Sequence, residues 1–235
     1  MLRRLRTLVA ALVVGLAVGF LVAGCSSTPS APQVTPQQAL DKARSTLATA
    51  KFVTMVLTSS GVPEGRNGVT AATGTGEVSA TAPKFQGTIT GTVNGLKGNI
   101  DIICITDKAW WKFFTPNYTP ADLASLGAPN AAAFFHPDSG LTSVLAATTD
   151  LTAKGKARLG SEVLTSYAGH VPSAPITSLL HLGEGAAPFE VTYGLTDAGE
   201  VRQAVLTGAF FAGSISTYTV TLTDYGKAAT ITAPS

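Results

Sequence analysis

Cysteine and histidine are scarce. Cys25 and Cys104 are the only cysteines, and His136, His170 and His181 the only histidines. None of the histidines stands at an H-x-x-x-H spacing or beside a cysteine pair, so no zinc site is read and no metal is expected. Charge is also thin, at 13% of residues, and Lys and Arg do not cluster. That excludes the electrostatic footprint of a nucleic-acid-binding protein. G-x-S-x-G and G-x-x-x-x-G-K-[ST] are both missing, which removes the nucleophile elbow and the phosphate cradle. Ser139-Gly140 lies near His136 and Asp138, but four residues this close along one chain are too compact for a triad. Asp138 reads instead as a helix cap. Gly87, Gly91, Gly95 and Gly98 fall in strand and hairpin pattern, where glycine thins or curves a sheet. No residue announces covalent chemistry, so the chain is read as a non-enzyme without a cofactor.

What is present begins with Arg3, Arg4 and Arg6, followed by an apolar run from Leu8 to Phe20. This is the layout of a secretory signal peptide, too short for an ordinary spanning helix. The run ends in Leu21-Val22-Ala23-Gly24-Cys25, which resembles the lipobox of bacterial lipoproteins. The resemblance implies cleavage after residue 24, a thioether-linked diacylglycerol on Cys25, and Cys25 as the first mature residue. The alternatives are a buried or disulfide-bonded cysteine that happens to follow an apolar helix, or a transmembrane anchor. Removing residues 1–24 takes three of the 16 basic groups and none of the 14 acidic ones, so 13 against 14 leaves a net charge of −1. With Cys25 acylated, Cys104 has no partner. It lies in phase with Ile100 and Ile102 and opposite Asp101, the place of a small core hydrophobe.

Residues 25–35 are rich in Ser and Pro and form a tether of roughly 30 Å at most. Thr35, Pro36 and Gln38 then satisfy the start of a helix as N-cap, N1 and N3. Its packed face is Ala39, Leu40, Ala43, Leu47 and Ala50. From Lys51 the period drops to two, with Val53, Met55 and Leu57 against Thr54 and Thr58. Strands are predicted over 70–80, 84–93, 96–106 and 108–114, with Asn94-Gly95 as a hairpin turn. Residues 115–137 hold four prolines and read as loop with short helical turns. A helix capped by Asp138 or Ser139 follows, then strands over 151–159 and 162–171. A short apolar helix carries Ile176, Leu179, Leu180 and Leu182. Further strands are predicted over 188–195, 200–208, 214–224 and 227–233. Trp110, Trp111, Phe113, Phe134 and Phe135 are candidates for an aromatic rim or for plain core packing.

This order of strands with short helical inserts describes an α+β fold: one large curved antiparallel sheet whose apolar face is covered by helices. Two to four short helices leave space in such a concavity, and a ligand is expected there.

Three segments carry a family resemblance: Pro137-Asp138-Ser139-Gly140-Leu141-Thr142-Ser143-Val144-Leu145-Ala146, Tyr167-Ala168-Gly169-His170-Val171-Pro172, and Asp224-Tyr225-Gly226-Lys227. With the lipobox and the strand order, they make the chain similar to mycobacterial lipid-carrier lipoproteins of the LppX and LprG type. Tyr225 stands where that family usually has tryptophan, and Val191-Thr192-Tyr193 replaces its Val-Trp-Ile. The resemblance implies that residues 36–235 form a lipid-binding half-barrel. It takes the acyl chains of triacylated glycolipids or triacylglycerol and moves them from the plasma membrane toward the outer envelope. It also implies a monomer anchored on the outer, periplasmic face of the cell membrane or displayed at the cell wall, with a membrane lipid exporter as partner. Strand and helix phase place Val53, Met55, Leu57, Ile89, Val93, Ile100, Ile102, Trp111, Phe113, Tyr218, Val220 and Leu222 inward. Leu141, Val144, Leu145, Ile176 and Leu179 face them from the helices. Two other readings compete: an adhesin or interaction lipoprotein whose only lipid is its anchor, and a hydrolase using Ser139 or another serine.

Overall fold

The structure is a computed structural model and describes residues 34–235 apart from Asn94, with the side chain of Val93 also outside the description. The expected signal peptide, Cys25 and the expected tether up to residue 33 therefore lie outside the described residues.

Helix α1, Pro36–Ala48, starts as the sequence dictates. Thr35 Oγ1 accepts from the Gln38 backbone N–H at 3.2 Å, and Gln38 Oε1 accepts from the Thr35 N–H at 3.0 Å. Two orphan donors are thus satisfied reciprocally. Ala39, Leu40, Ala43 and Leu47 are its buried stripe. Thr35→Ala removes one half of this box and is expected to lower stability by about 1 kcal/mol, read as a shifted midpoint in urea.

Six strands follow: β1 (Phe52–Ser60), β2 (Gly68–Glu77), β3 (Lys84–Val93), β4 (Leu96–Ile105), β5 (Lys108–Lys112) and β6 (Thr119–Ala121). A 3-10 helix, Ala131–Phe135, and α2, Leu141–Ala146, lead to β7 (Thr149–Leu159) and β8 (Glu162–Val171). Then come α3 (Ser173–Leu180), β9 (Phe189–Leu195), β10 (Val201–Phe211) and β11 (Ser214–Thr223). All eleven strands form one antiparallel sheet in the order β6-β5-β4-β3-β2-β1-β11-β10-β9-β8-β7. Each half is a run of hairpins, and the two halves meet where β1 pairs with β11. The sheet does not close, since β6 and β7 are not paired with each other. It is a curved half-barrel, with the helices packed on one face.

Period-two patterning explains which face that is. In β1 Val53, Met55 and Leu57 are buried, and in β11 Tyr218, Val220 and Leu222 are. The alternate threonines, such as Thr219 and Thr221, look outward, half-covered by their neighbours. Small residues on β2 and β3 let aromatics lie flat on the inner face. The Phe85 and Phe135 rings stack with centroids 5.9 Å apart. A Cβ at Gly74 would meet the Phe85 ring at 2.6 Å, and one at Gly76 would run into the Phe135 ring.

Four local expectations are corrected. The strand predicted over 227–233 is not formed: β11 already has β10 on one side and β1 on the other, so no ladder is free there. Asp224 and Gly226 turn the chain at positive φ instead, and the Gly226 N–H donates to the Phe52 carbonyl at 2.8 Å. Neither Asp138 nor Ser139 caps α2; its N-cap is Gly140, without a side-chain hydrogen bond. The Asp138 and Ser139 N–H groups are occupied by His136 Nδ1 at 3.2 and 3.3 Å. Within the stretch read as a proline-rich loop, Thr119–Ala121 pairs with β5 as a short edge strand, with Pro120 opposite Trp110, a position proline tolerates at an edge. Lastly, β5 stops at Lys112, two residues short of the predicted end, so Phe113 lies beyond the strand, with its ring over Gly98. Phe114, next in line, takes φ 57 and breaks the alternation.

Candidate functional site

Between the sheet and its helical cover lies an apolar hollow in three adjoining parts that share lining residues. The deep part, about 50 Å³, sits on β9, β10, β11 and β1 under α1, α2 and α3. Its lining includes Leu57, Leu141, Val144, Leu145, Ile176, Leu179, Tyr218, Val220 and Leu222, all expected from phase, together with Phe134, Leu180, Tyr193, Leu206 and Phe210. The middle part, about 20 Å³, is lined by Met55, Leu57, Val69, Ile89, Phe134 and Leu180 among others. The outer part is the largest, about 220 Å³. Ile89, Ile100, Ile102 and Trp111 form its floor, and the segment Leu123–Pro129 with Leu180–Leu182 its roof.

Leu180 lines all three parts, and Phe134 the deep and middle ones. These two side chains divide what is otherwise one trough. The open space expected under the short helices is therefore present mostly near the mouth. Deeper in, the covering side chains nearly meet the sheet. Two expected lining residues behave differently, and a third is not among the described side chains. Val53 is fully buried and packs in the core without facing the hollow. Phe113 leans on Trp111, ring centroids 6.0 Å apart, beyond the mouth. The side chain of Val93 lies outside the described residues.

Polar groups gather only at the mouth. Asn67, Thr92 and His181 line the outer part. His181 ends α3 in the left-handed conformation at φ 55, and its Nδ1 lies 3.2 Å from the Gly127 carbonyl, joining the two pieces of the roof. In the deep part the polar atoms are consumed internally. Thr148 Oγ1 donates to the Val144 carbonyl at 2.9 Å and lies 2.8 Å from the Tyr193 hydroxyl, while the Tyr218 hydroxyl donates to the Val69 carbonyl at 2.9 Å. Burial pushes the Tyr193 phenol up beyond the ordinary tyrosine range, with Thr148 opposing, and the Tyr218 phenol to about 12. An interior of neutral, paired hydroxyls and hydrocarbon walls offers a partner dispersion and burial but no charge.

Cys104 is the buried core hydrophobe its phase implied. Burial pushes its thiol up from 9.0 to about 11, against the hydrogen bonds from Ala131 and Ala132. The folded state favours the neutral thiol, so this contribution to stability is complete below pH 9 and is lost as pH rises toward 11. Iodoacetamide at pH 8 is expected to leave Cys104 unmodified in the native chain and to alkylate it fully in guanidinium, read by intact mass. Among the described residues, no three His, Cys, Asp or Glu side chains come together as metal ligands. Trp110 and Phe135 take no part in the hollow: Trp110 pairs across the sheet with Ile103, opposite in phase to Trp111, and Phe135 is core.

Strand and helix phase left out Leu180, Tyr193, Leu206 and Phe210 as lining residues, and Phe134 was named only as a candidate for an aromatic rim or for plain core packing. Leu180 was visible in the apolar stripe of its helix, and Tyr193 in the alternation of β9. Phe134 sits in a short 3-10 helix whose orientation no period reveals.

The fold is shared with solved lipoproteins. LprF from Mycobacterium bovis matches with a TM-score of 0.73 at 15% identity, over 87% of this chain and 99% of that one. The Mycobacterium tuberculosis lipoprotein LppX matches with a TM-score of 0.60 at 15% identity, over 84% and 98%. No curated protein sequence matches the chain. The sequence of residues 35–231 matches one family over nearly the whole of the described domain, and the chain belongs to that family, the LppX_LprAFG lipoproteins.

Proposed function

We propose that this chain is an envelope lipoprotein that holds the acyl chains of a triacylated glycolipid or triacylglycerol in its half-barrel. It carries them from the plasma membrane toward the outer envelope, with Cys25 as its own lipid anchor on the periplasmic face. The observation that carries this reading is the trough itself, walled by hydrocarbon along its depth and polar only at its mouth. Each methylene removed from water is worth about 0.8 kcal/mol, so a sixteen-carbon chain resists leaving a bilayer by on the order of 12 kcal/mol. An apolar trough offers such a chain a second dry environment, and transfer then needs no covalent step. A membrane lipid exporter is the natural partner for loading or release.

The narrowness of the deep part bears on how lipid is held. Leu180 and Phe134 must turn aside before a long chain can run from the mouth to Leu206. Leucine and phenylalanine change rotamer without losing a hydrogen bond, so the movement costs packing alone. The test is lipid extraction and mass spectrometry of the full chain carrying Cys25→Ser, which removes the acylation site. Acyl lipid recovered in near-stoichiometric amount is expected. Protein free of acyl lipid after gentle purification, with its fold intact by circular dichroism, would count against the carrier reading.

A further inference from the structure

Strand direction places several features at one end of the sheet. β1, β3, β5 and β10 run toward it, and β2, β4 and β11 start from it. The mouth of the trough opens there, between Asn67, Gly68 and Thr92 on one side and the Leu123–Pro129 roof on the other. So do three of the most exposed large apolar side chains: Phe114 at 83%, Ile215 at 66% and Leu96 at 61%.

Two of these continue the trough's own lining. Leu96 is in phase with Ile100 and Ile102, which floor the outer part. Gly98, between them, is covered by aromatic rings, since a Cβ there would meet Phe113 at 2.8 Å and Phe114 at 3.6 Å. Phe113 and Phe114 pack on each other with centroids 4.3 Å apart. Phe114 adopts φ 57, a conformation that disfavours a bulky side chain and is unusual without a reason. The apolar floor thus runs without a break from the mouth out to side chains standing in water.

Beside this lip is a polar cleft of about 480 Å³, lined by Ser59, Ser60, Glu64, Arg66, Thr92 and Lys97 among others. Thr92 lines both cleft and trough, and Lys97 follows Leu96 directly. Among the described residues Arg66 and Lys97 are in no ion pair, while Glu64 offsets part of their charge.

We propose that this end of the half-barrel docks on a bilayer surface, with Phe114 and Leu96 in the acyl boundary and Arg66 and Lys97 against anionic headgroups. Aromatic and aliphatic side chains beside basic ones suit that interface. A bilayer is the occupant whose interior chemistry matches a floor leading inward. The proposal does not require that lipid be carried, only that the lip meets membrane.

The test uses the full chain with Cys25→Ser, leaving buried Cys104 as the only native thiol. An environment-sensitive nitrobenzoxadiazole label is attached at Phe114→Cys, at Leu96→Cys, or at Val163→Cys beside the β7–β8 turn at the opposite end. The leader run is the same in all three, so its own membrane affinity cancels. On vesicles of equimolar phosphatidylcholine and phosphatidylglycerol, blue-shifted emission quenched by brominated lipid is expected at 114 and 96, and water-like emission at 163. The inserted fraction should be smaller on pure phosphatidylcholine. Arg66→Ala and Lys97→Ala should each weaken insertion on the mixed vesicles by roughly fivefold. Labels at 114 and 96 that stay in water, or that shift no more than the one at 163, overturn the proposal. So do labels that are shielded only in a complex with another envelope protein. Insertion that ignores both vesicle charge and the two alanines overturns the headgroup contact. Insertion without extractable acyl lipid would leave the lip standing and remove the carrier; lipid loading without insertion would do the reverse.

Discussion

Ile89→Trp is expected to weaken acyl-chain binding about a hundredfold while leaving the domain folded. Ile89 is only half-buried and lines both the middle and outer parts of the trough. The indole therefore extends into the existing space of about 220 Å³ and not into packed core. If it displaces about four methylenes of a bound chain, the loss is on the order of 3 kcal/mol, which corresponds to that factor. Lipid recovered per protein by mass spectrometry is the readout, with the unfolding midpoint measured alongside. Unchanged lipid load with a shifted midpoint would mean that Ile89 is ordinary core.

Phe135→Ala is expected to produce the largest change in stability. Phe135 is buried, stacks on Phe85 and lies on the glycine floor of β2, where Gly76 leaves room for its ring. Its backbone carbonyl also accepts from the Ser79 N–H at 3.2 Å. Truncation leaves a cavity between a rigid sheet and a short 3-10 helix that cannot easily collapse into it. The expected cost is roughly 3–5 kcal/mol, or about 6–20 °C in Tm for a domain of this size. Thermal unfolding followed by circular dichroism checks it. Because Phe135 does not line the hollow, lipid recovery below the new midpoint should stay near that of the native chain. A variant that keeps its Tm but loses lipid would place Phe135 in the site after all.

These two residues also show what the sequence made legible. The inward faces of β1 and β11 could be read directly, because Val53, Met55, Leu57 and Tyr218, Val220, Leu222 alternate with threonine, and a half-exposed sheet enforces that period. The start of α1 was equally plain, since Thr35, Pro36 and Gln38 form a local motif that needs no tertiary partner. Trp111 and Phe113 share a parity and a face, yet only Trp111 lines the trough, since Phe113 follows the end of β5 at Lys112 and lies over Gly98, nearer the end of the sheet. The false strand over 227–233 had the right composition, but pairing is decided by which edges remain free, and β11 had none. Above all, the partition of the trough by Leu180 and Phe134 arises where α3 and the 3-10 helix approach from separate parts of the chain. No window of sequence contains that meeting.

The most direct measurement is covalent mapping of a bound acyl chain. A triacylglycerol bearing a diazirine near the end of one chain is loaded onto the full-length protein carrying Cys25→Ser, irradiated, and the adducts located by peptide mass spectrometry. Adducts on Ile89, Leu180 and Leu206, spanning mouth to depth, are the expected result. Adducts confined to residues 1–24, or to the outward threonines of β11 such as Thr219 and Thr221, would contradict a half-barrel that holds lipid inside.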